Sequence, residues 1–179
     1  MASDALQSVI ERVKLRDVWL LAGKQETLND AAGLQLETEW RHRLVAVSLF
    51  DVDDPDSYPQ KRALRIELQV ALRWLALVKP TRRKAKVSSQ QPRAIATIEG
   101  QFAAQYAVLG ELDDTGLQVF AEKNAYIHVW PYAREYLANT ALRMNLPKCV
   151  LPAIQFARGA TLPMPEALGM VAHLPSDRS

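Results

Sequence analysis

The residue types able to do chemistry are few in this chain and badly spaced for it. Three histidines, His42, His128 and His173, sit far apart in different segments, and none has a second ligand at metal spacing. That spacing predicts satisfied or exposed imidazoles rather than a metal centre. Cys149, between Pro147 and Pro152, is the only cysteine. A lone thiol forms no intrachain disulfide and no cysteine-rich zinc site, and nothing beside it marks a lowered thiol pKa; it reads as a small buried hydrophobe. Asp113 and Asp114 precede Thr115-Gly116, where turn and capping roles explain them better than acid–base work. The G-x-S-x-G, H-E-x-x-H and G-x-x-x-x-G-K arrangements are absent, and seven glycines are too dispersed to cradle a phosphate. An enzyme is not expected, and no cofactor or metal is implied.

Two other kinds of chemistry remain, both of surfaces. Lys79 to Arg93 is a basic stretch without one acidic residue. Its charge and two prolines make it a solvated loop first, and a contact for phosphate backbones or an acidic partner second. The net charge of +2 is too mild to imply nucleic acid by itself, so a nucleic-acid-binding module built on this loop stands as the alternative function. The other surface is apolar. Trp19, Trp40, Phe50, Trp74, Phe102, Tyr106, Tyr126 and Trp130 exceed what one sheet face and one long helix require. Most such rings serve a core, Trp74 and Tyr106 among them. Rings left over would bury an extended, unfolded segment whatever its sequence, at ~25 cal/mol per Å², with backbone pairing along a strand edge.

The elements that must position these side chains follow from period and punctuation. Asp4 is a candidate N-cap for a short amphipathic helix over Ala5–Val13. Leu15–Leu21 reads as a first strand, with Val18 and Leu20 on one face and Leu15, Trp19 and Leu21 on the other; the polar run Ala22–Gly33 suits a crossover over the sheet. A second strand over Leu34–Phe50 places Leu36, Trp40, Leu44, Ala46 and Phe50 on one side, with imperfect alternation near Val45 and Val47. Asp51 to Pro59 reads as a solvated loop. The third strand has the clearest period: Leu64, Ile66, Leu68, Val70, Leu72, Trp74, Ala76 and Val78 alternate with polar residues. Ala94–Val108 is a fourth strand, whose Gly100 marks a bulge or a close backbone approach. A short helix over Leu117–Lys123 follows. A long helix starts at Pro131, where a missing N–H costs nothing, and stops near Asn145. With 179 residues, 49% of them hydrophobic, the chain can form one α+β domain: a four-stranded antiparallel sheet with the long helix on one face and a short N-terminal helix. No apolar run approaches the ~20 residues of a spanning helix, and the N-terminus lacks a signal-peptide order, so a cytoplasmic protein is expected.

The run Trp130-Pro131-Tyr132-Ala133-Arg134-Glu135, the helix it opens, and the following Leu146-Pro147 and Leu151-Pro152 resemble the F-P-Y-A-R-E helix and proline-interrupted arm of SecB-type export chaperones. The likeness extends more loosely upstream, through Ile98-Glu99-Gly100-Gln101 and Glu39-Trp40, and covers roughly residues 13 to 156. It implies a SecB-like chaperone domain over 1–156 and a weakly ordered, Pro-containing tail over 157–179. It also implies an ATP-independent holdase that keeps clients unfolded in apolar grooves, as a homo-oligomer, a tetramer built as a dimer of dimers. On this resemblance Trp40, Phe50, Ile98, Phe102, Tyr126 and Trp130 would bind clients, and Ala96, Ile98, Gly100, Tyr136 and Ala141 would form the oligomer interface. Export members are strongly acidic and dock an acidic sheet face on the translocase motor SecA. This chain, with a pI near 8.7 and Arg65, Arg73 and Arg93 beside Glu67 and Glu99, fits that partner poorly. Its added N-terminal helix and Pro-containing ending are similar to the divergent members that protect the antitoxin of a toxin–antitoxin pair. An antitoxin is therefore the favoured client and an exported preprotein the next.

Overall fold

The strand β3, Arg62–Ala76, shows how this sequence builds its layers. Leu64, Ile66, Leu68, Val70, Leu72 and Trp74 are sealed from solvent, while Arg65, Glu67, Gln69 and Arg73 between them are half-buried on the opposite side. A two-residue period with one wetter face marks an antiparallel strand covered on one side. β4, Arg93–Val108, repeats the pattern with Ala96, Ile98, Phe102, Ala104 and Tyr106. β1 (Val13–Thr27) and β2 (Leu36–Asp51) flank this pair, giving one antiparallel sheet in the order β1-β4-β3-β2. The chain therefore crosses from one edge of the sheet to the other between β1 and β2, as expected, although the first half of the polar run, Ala22–Thr27, is strand paired with β4 rather than connection. The computed structural model describes residues 2–29, 34–76, 93–147, 149 and 151. Outside it lie the basic stretch from Lys79 to residue 92, the arm beyond Leu151, the tail 157–179 and His173.

Helices cover one face. α1 (Ala2–Arg12) packs on α2 (Asp114–Val119), a π-helical turn Phe120–Asn124 follows, and α3 (Ala125–Arg143) lies over β4 with smaller contacts to β1 and β3. This is the expected α+β architecture of a four-stranded sheet, one long helix and a short N-terminal helix. Asp113 caps α2, its carboxylate accepting from the Gly116 N–H at 2.8 Å. α3 ends as expected at Asn145, whose φ of 55° is left-handed. The Leu146 N–H bonds the Ala141 carbonyl at 3.0 Å and the Asn145 N–H bonds that of Leu142 at 3.1 Å, a Schellman closure.

Glycines let the layers meet. A Cβ on Gly100 would lie 2.7 Å from the Phe102 ring and 3.0 Å from that of Tyr136, so Gly100 marks a close approach of α3. The Tyr136 hydroxyl donates there to the Glu99 carbonyl at 3.3 Å. On Gly116 a Cβ would sit 2.6 Å from the Ala5 carbonyl oxygen and 2.8 Å from Val9. The obstacle is partly backbone, so Gly116→Val is expected to lift α1 from α2 at a cost of about 1–3 kcal/mol. Faster proteolysis near Arg12 and an earlier urea midpoint would register it.

Several boundaries differ from expectation, each for a physical reason. Asp4 lies in the first turn of α1 rather than before it. The stretch 114–143 is helical throughout, so Pro131 sits inside α3 instead of opening it. Its ring deprives only the Ile127 carbonyl of a partner, and both residues are exposed, where water can serve that carbonyl. β1 carries register shifts between Leu15 and Asp17 and between Leu20 and Ala22. The first returns Leu15 to the face of Val18 and Leu20, opposite Tyr106. β2 has a shift between Leu44 and Ala46. The extra residue exchanges the faces beyond it: Val47 and Leu49 pair with Ile66 and Leu64 under the helices, and Ala46 and Phe50 turn to the other side. Nor is the 51–59 loop wholly solvated. Tyr58 is buried on Ala63 and Ala107 on that reverse face, with the Arg16 guanidinium 5.8 Å from its ring centroid.

Candidate binding surface

The rings that sequence left over from a core gather where β2 passes under the start of α3. Trp40 and His42, two residues apart, face the helix layer opposite Leu72 and Val70. Their rings stack at 5.5 Å with a 21° tilt. Trp130, from α3, meets Trp40 at 5.2 Å, and Tyr126, one helical turn earlier, meets the edge of His42 at 4.6 Å and 70°. Such offset and edge-to-face pairs add about 0.5–1.5 kcal/mol beyond burial. Tyr126 and Trp130 are nearly enclosed, whereas Trp40 and His42 are half-buried on the outermost strand. Of the residues expected to bind clients, Trp40, Tyr126 and Trp130 are thus brought together; His42 joins them unannounced, because an imidazole does not count as apolar.

Other expected site residues lie elsewhere. Ile98 and Phe102 are walled in beneath α3, with Phe102 edge-on to Tyr136 at 5.8 Å. Phe50 is on the reverse face, 37% exposed. Ala96, Ile98, Gly100 and Ala141 are interior to the subunit, so the chain's own helix occupies the surface expected to meet a second copy. Tyr136 remains half-buried. Trp74 and Tyr106 are core, as expected. The Tyr106 hydroxyl shares a hydrogen bond with His128 Nδ1 at 2.9 Å, and burial holds the phenol above its usual range. Cys149 is half-buried against the core.

Two kinds of open surface adjoin this arrangement. The outer edge of β2 has no strand beside it among the described residues, and its register runs unbroken from Leu36 to Leu44. The β1 edge is broken by two bulges, devices that discourage edge pairing. Along β1 a groove of about 370 Å³ runs between that strand and α3, lined by Leu20, Tyr132, Tyr136 and Arg143 among others, with the buried Phe102 ring, 2% exposed, at its floor. The reverse sheet face is polar and paired within itself. Arg65 bridges Glu67 at 3.0 Å, Gln101 donates to Glu67 at 2.8 Å, and Arg43 reaches Gln69 at 2.6 Å, which in turn reaches Glu99 at 3.2 Å. Among the described residues no group of three His, Cys, Asp or Glu could hold a metal ion, and no helix is long and apolar enough to cross a membrane.

His42 makes the cluster sensitive to acid. Burial lowers its pKa below the usual 6.5, and its Nδ1 is enclosed without a partner. The unfolded chain therefore takes up a proton that the folded chain resists. Stability from this site is full above pH 6.5 and is lost as pH falls from there toward the depressed folded value. His128 acts in the same sense, its pKa also lowered by burial. His42→Phe should keep the ring packing and reduce, without abolishing, the fall in urea midpoint between pH 7.5 and 5.5.

No model of a known protein family matches this chain, and no curated protein matches it in sequence. Among solved structures it is similar to a SecB-like chaperone of Mycobacterium tuberculosis, determined in complex with a peptide from an antitoxin; the TM-score is 0.58 at 21% identity, covering 85% of this chain and 97% of that one. A Streptococcus agalactiae protein of unknown function matches 78% of this chain and 96% of its own length, but at 10% identity and a TM-score of 0.30 it is too distant to carry an argument. The four-stranded antiparallel sheet with its long helix is the SecB-like fold.

Proposed function

We propose that this chain is an ATP-independent chaperone, a holdase that binds unfolded polypeptide by contact alone, without catalysis or a cofactor. The observation that carries the reading is the half-buried Trp40–His42 pair on a strand edge that is unbroken and, among the described residues, unpaired, with Tyr126 and Trp130 behind it. An extended segment laid along Leu36–Leu44 gains backbone hydrogen bonds from β2, whatever its sequence, and sets alternate side chains against the rings. Its apolar atoms gain ~25 cal/mol per Å² buried.

The structural neighbour holds an antitoxin peptide, which supports an antitoxin as the favoured client here, with exported preproteins second. SecA docking receives no support from the reverse face, where Arg65 pairs with Glu67 and Arg41 with Glu39. The reading includes a homo-oligomer in the cytoplasm, a tetramer as a dimer of dimers. With Ala96, Ile98, Gly100 and Ala141 interior, its contacts would fall on the outward side of α3, where Tyr132 and Leu142 are exposed. The test is suppression of aggregation of a chemically denatured client at stoichiometric ratio without nucleotide. Protection is expected; unchanged light scattering together with no bound client would overturn the reading.

A further inference from the structure

The edge that would receive a client is not neutral. On β2, the residues alternating with the apolar row are Glu37, Glu39, Arg41 and Arg43, in that order, and they project from the reverse face opposite Leu75, Arg73, Ala71 and Gln69 of β3. All but Glu39 are exposed. Glu39 and Arg41 now satisfy each other at 2.8 Å. An exposed pair of this kind is worth little, so an incoming strand can exchange it for cross-strand pairs at small cost.

We infer that β2 selects clients by the order of their charges: an added antiparallel strand meets Arg43 first and Glu37 last, and is favoured when its outward residues read acidic, acidic, basic, basic from its N-terminus. The intervening residues, apolar, fall against Leu44, His42, Trp40, Thr38 and Leu36. This specificity rests on the proposed chaperone reading and adds to it a class of partner, an amphipathic segment with a charge polarity. The physical basis is that opposite charges directly across two strands stabilise by about 0.2–1 kcal/mol each, and like charges destabilise comparably. Reversing the order turns four attractions into four repulsions, so a preference on the order of tenfold or more is expected. The run from Leu36 to Leu44 obeys the same formula. A second copy's β2, turned about a two-fold axis at Trp40, is therefore the competing occupant.

The experiment uses the full chain and two nine-residue peptides of the same composition. Each alternates valine with charge; one runs glutamate, glutamate, lysine, lysine and the other lysine, lysine, glutamate, glutamate. Titrated by fluorescence anisotropy at low salt, the acidic-first peptide should bind about tenfold tighter, with the gap closing in 1 M salt. The variant carrying Glu37→Lys, Glu39→Lys, Arg41→Glu and Arg43→Glu should invert the preference. Equal affinities, while a denatured protein client is still held by both forms, would overturn the charge order and leave the chaperone reading standing. Failure to hold any unfolded client would remove both. Concentration-dependent dimerisation that blocks both peptides, and that Arg41→Glu with Arg43→Glu abolishes, would assign the edge to a second copy and overturn the client assignment.

Discussion

Phe102→Ala is expected to destabilise the folded chain by about 3–5 kcal/mol, lowering the melting temperature by roughly 6–20 °C for a domain of this size. The ring is 2% exposed, sits on the central strand β4 opposite Leu68 and Leu20, and is held edge-on by Tyr136. Removing it leaves a cavity beneath α3 that the sheet backbone cannot close, since Gly100 already brings helix and strand to contact. Client affinity, measured below the new melting temperature, should change little. A variant that kept its melting temperature but lost client binding would return Phe102 to the binding surface, where sequence alone had put it.

Trp40→Ala should show the reverse pattern. Half-buried aromatic residues on an interface are the usual sites of concentrated binding energy, about 2 kcal/mol or more when truncated, which is roughly 30-fold in affinity. Trp40 offers one side of its indole to His42 and Trp130 and is not sealed on the other. Its loss should weaken client binding by about that factor and cost less than the Phe102 change in stability. Phe50→Ala is the matched control: an exposed ring next to the last residue of the same strand but on the far face, whose removal should leave affinity within about twofold. Equal losses from the two variants would mean that clients bind both faces.

The central strands were legible in the sequence because each lies between two neighbours, with one face closed by α3 and the other wetter, so that period and burial coincide from Leu64 to Trp74 and again from Ala96 to Phe102. At the edges this coincidence fails. The register shifts after Leu15, Leu20 and Leu44 insert single residues that no local propensity announces, and the last of them moved Phe50 across the sheet. Broken alternation at Val45 and Val47 was its only trace. Proline at 131 misled as a helix start because an exposed carbonyl at Ile127 tolerates the lost bond; Asn145 did not mislead, since few residues besides glycine accept its φ of 55°. Within the candidate site, aromatic content pointed to Trp40, Tyr126 and Trp130. Depth of burial is a tertiary quantity set by where α3 crosses, so Ile98 and Phe102 looked as available as Trp40 until the helix was in place. The charge order Glu37, Glu39, Arg41, Arg43 was on view throughout, but it acquired meaning only once β2 was found at an edge.

Amide hydrogen exchange with and without a saturating unfolded client tests the central claim most directly. If a client adds as a strand to β2, alternate amides between Leu36 and Leu44, those pointing away from β3, should gain protection while β1 stays unchanged. Protection confined to Val13–Thr27 and the groove along α3, or none on β2 with client demonstrably bound, would contradict it.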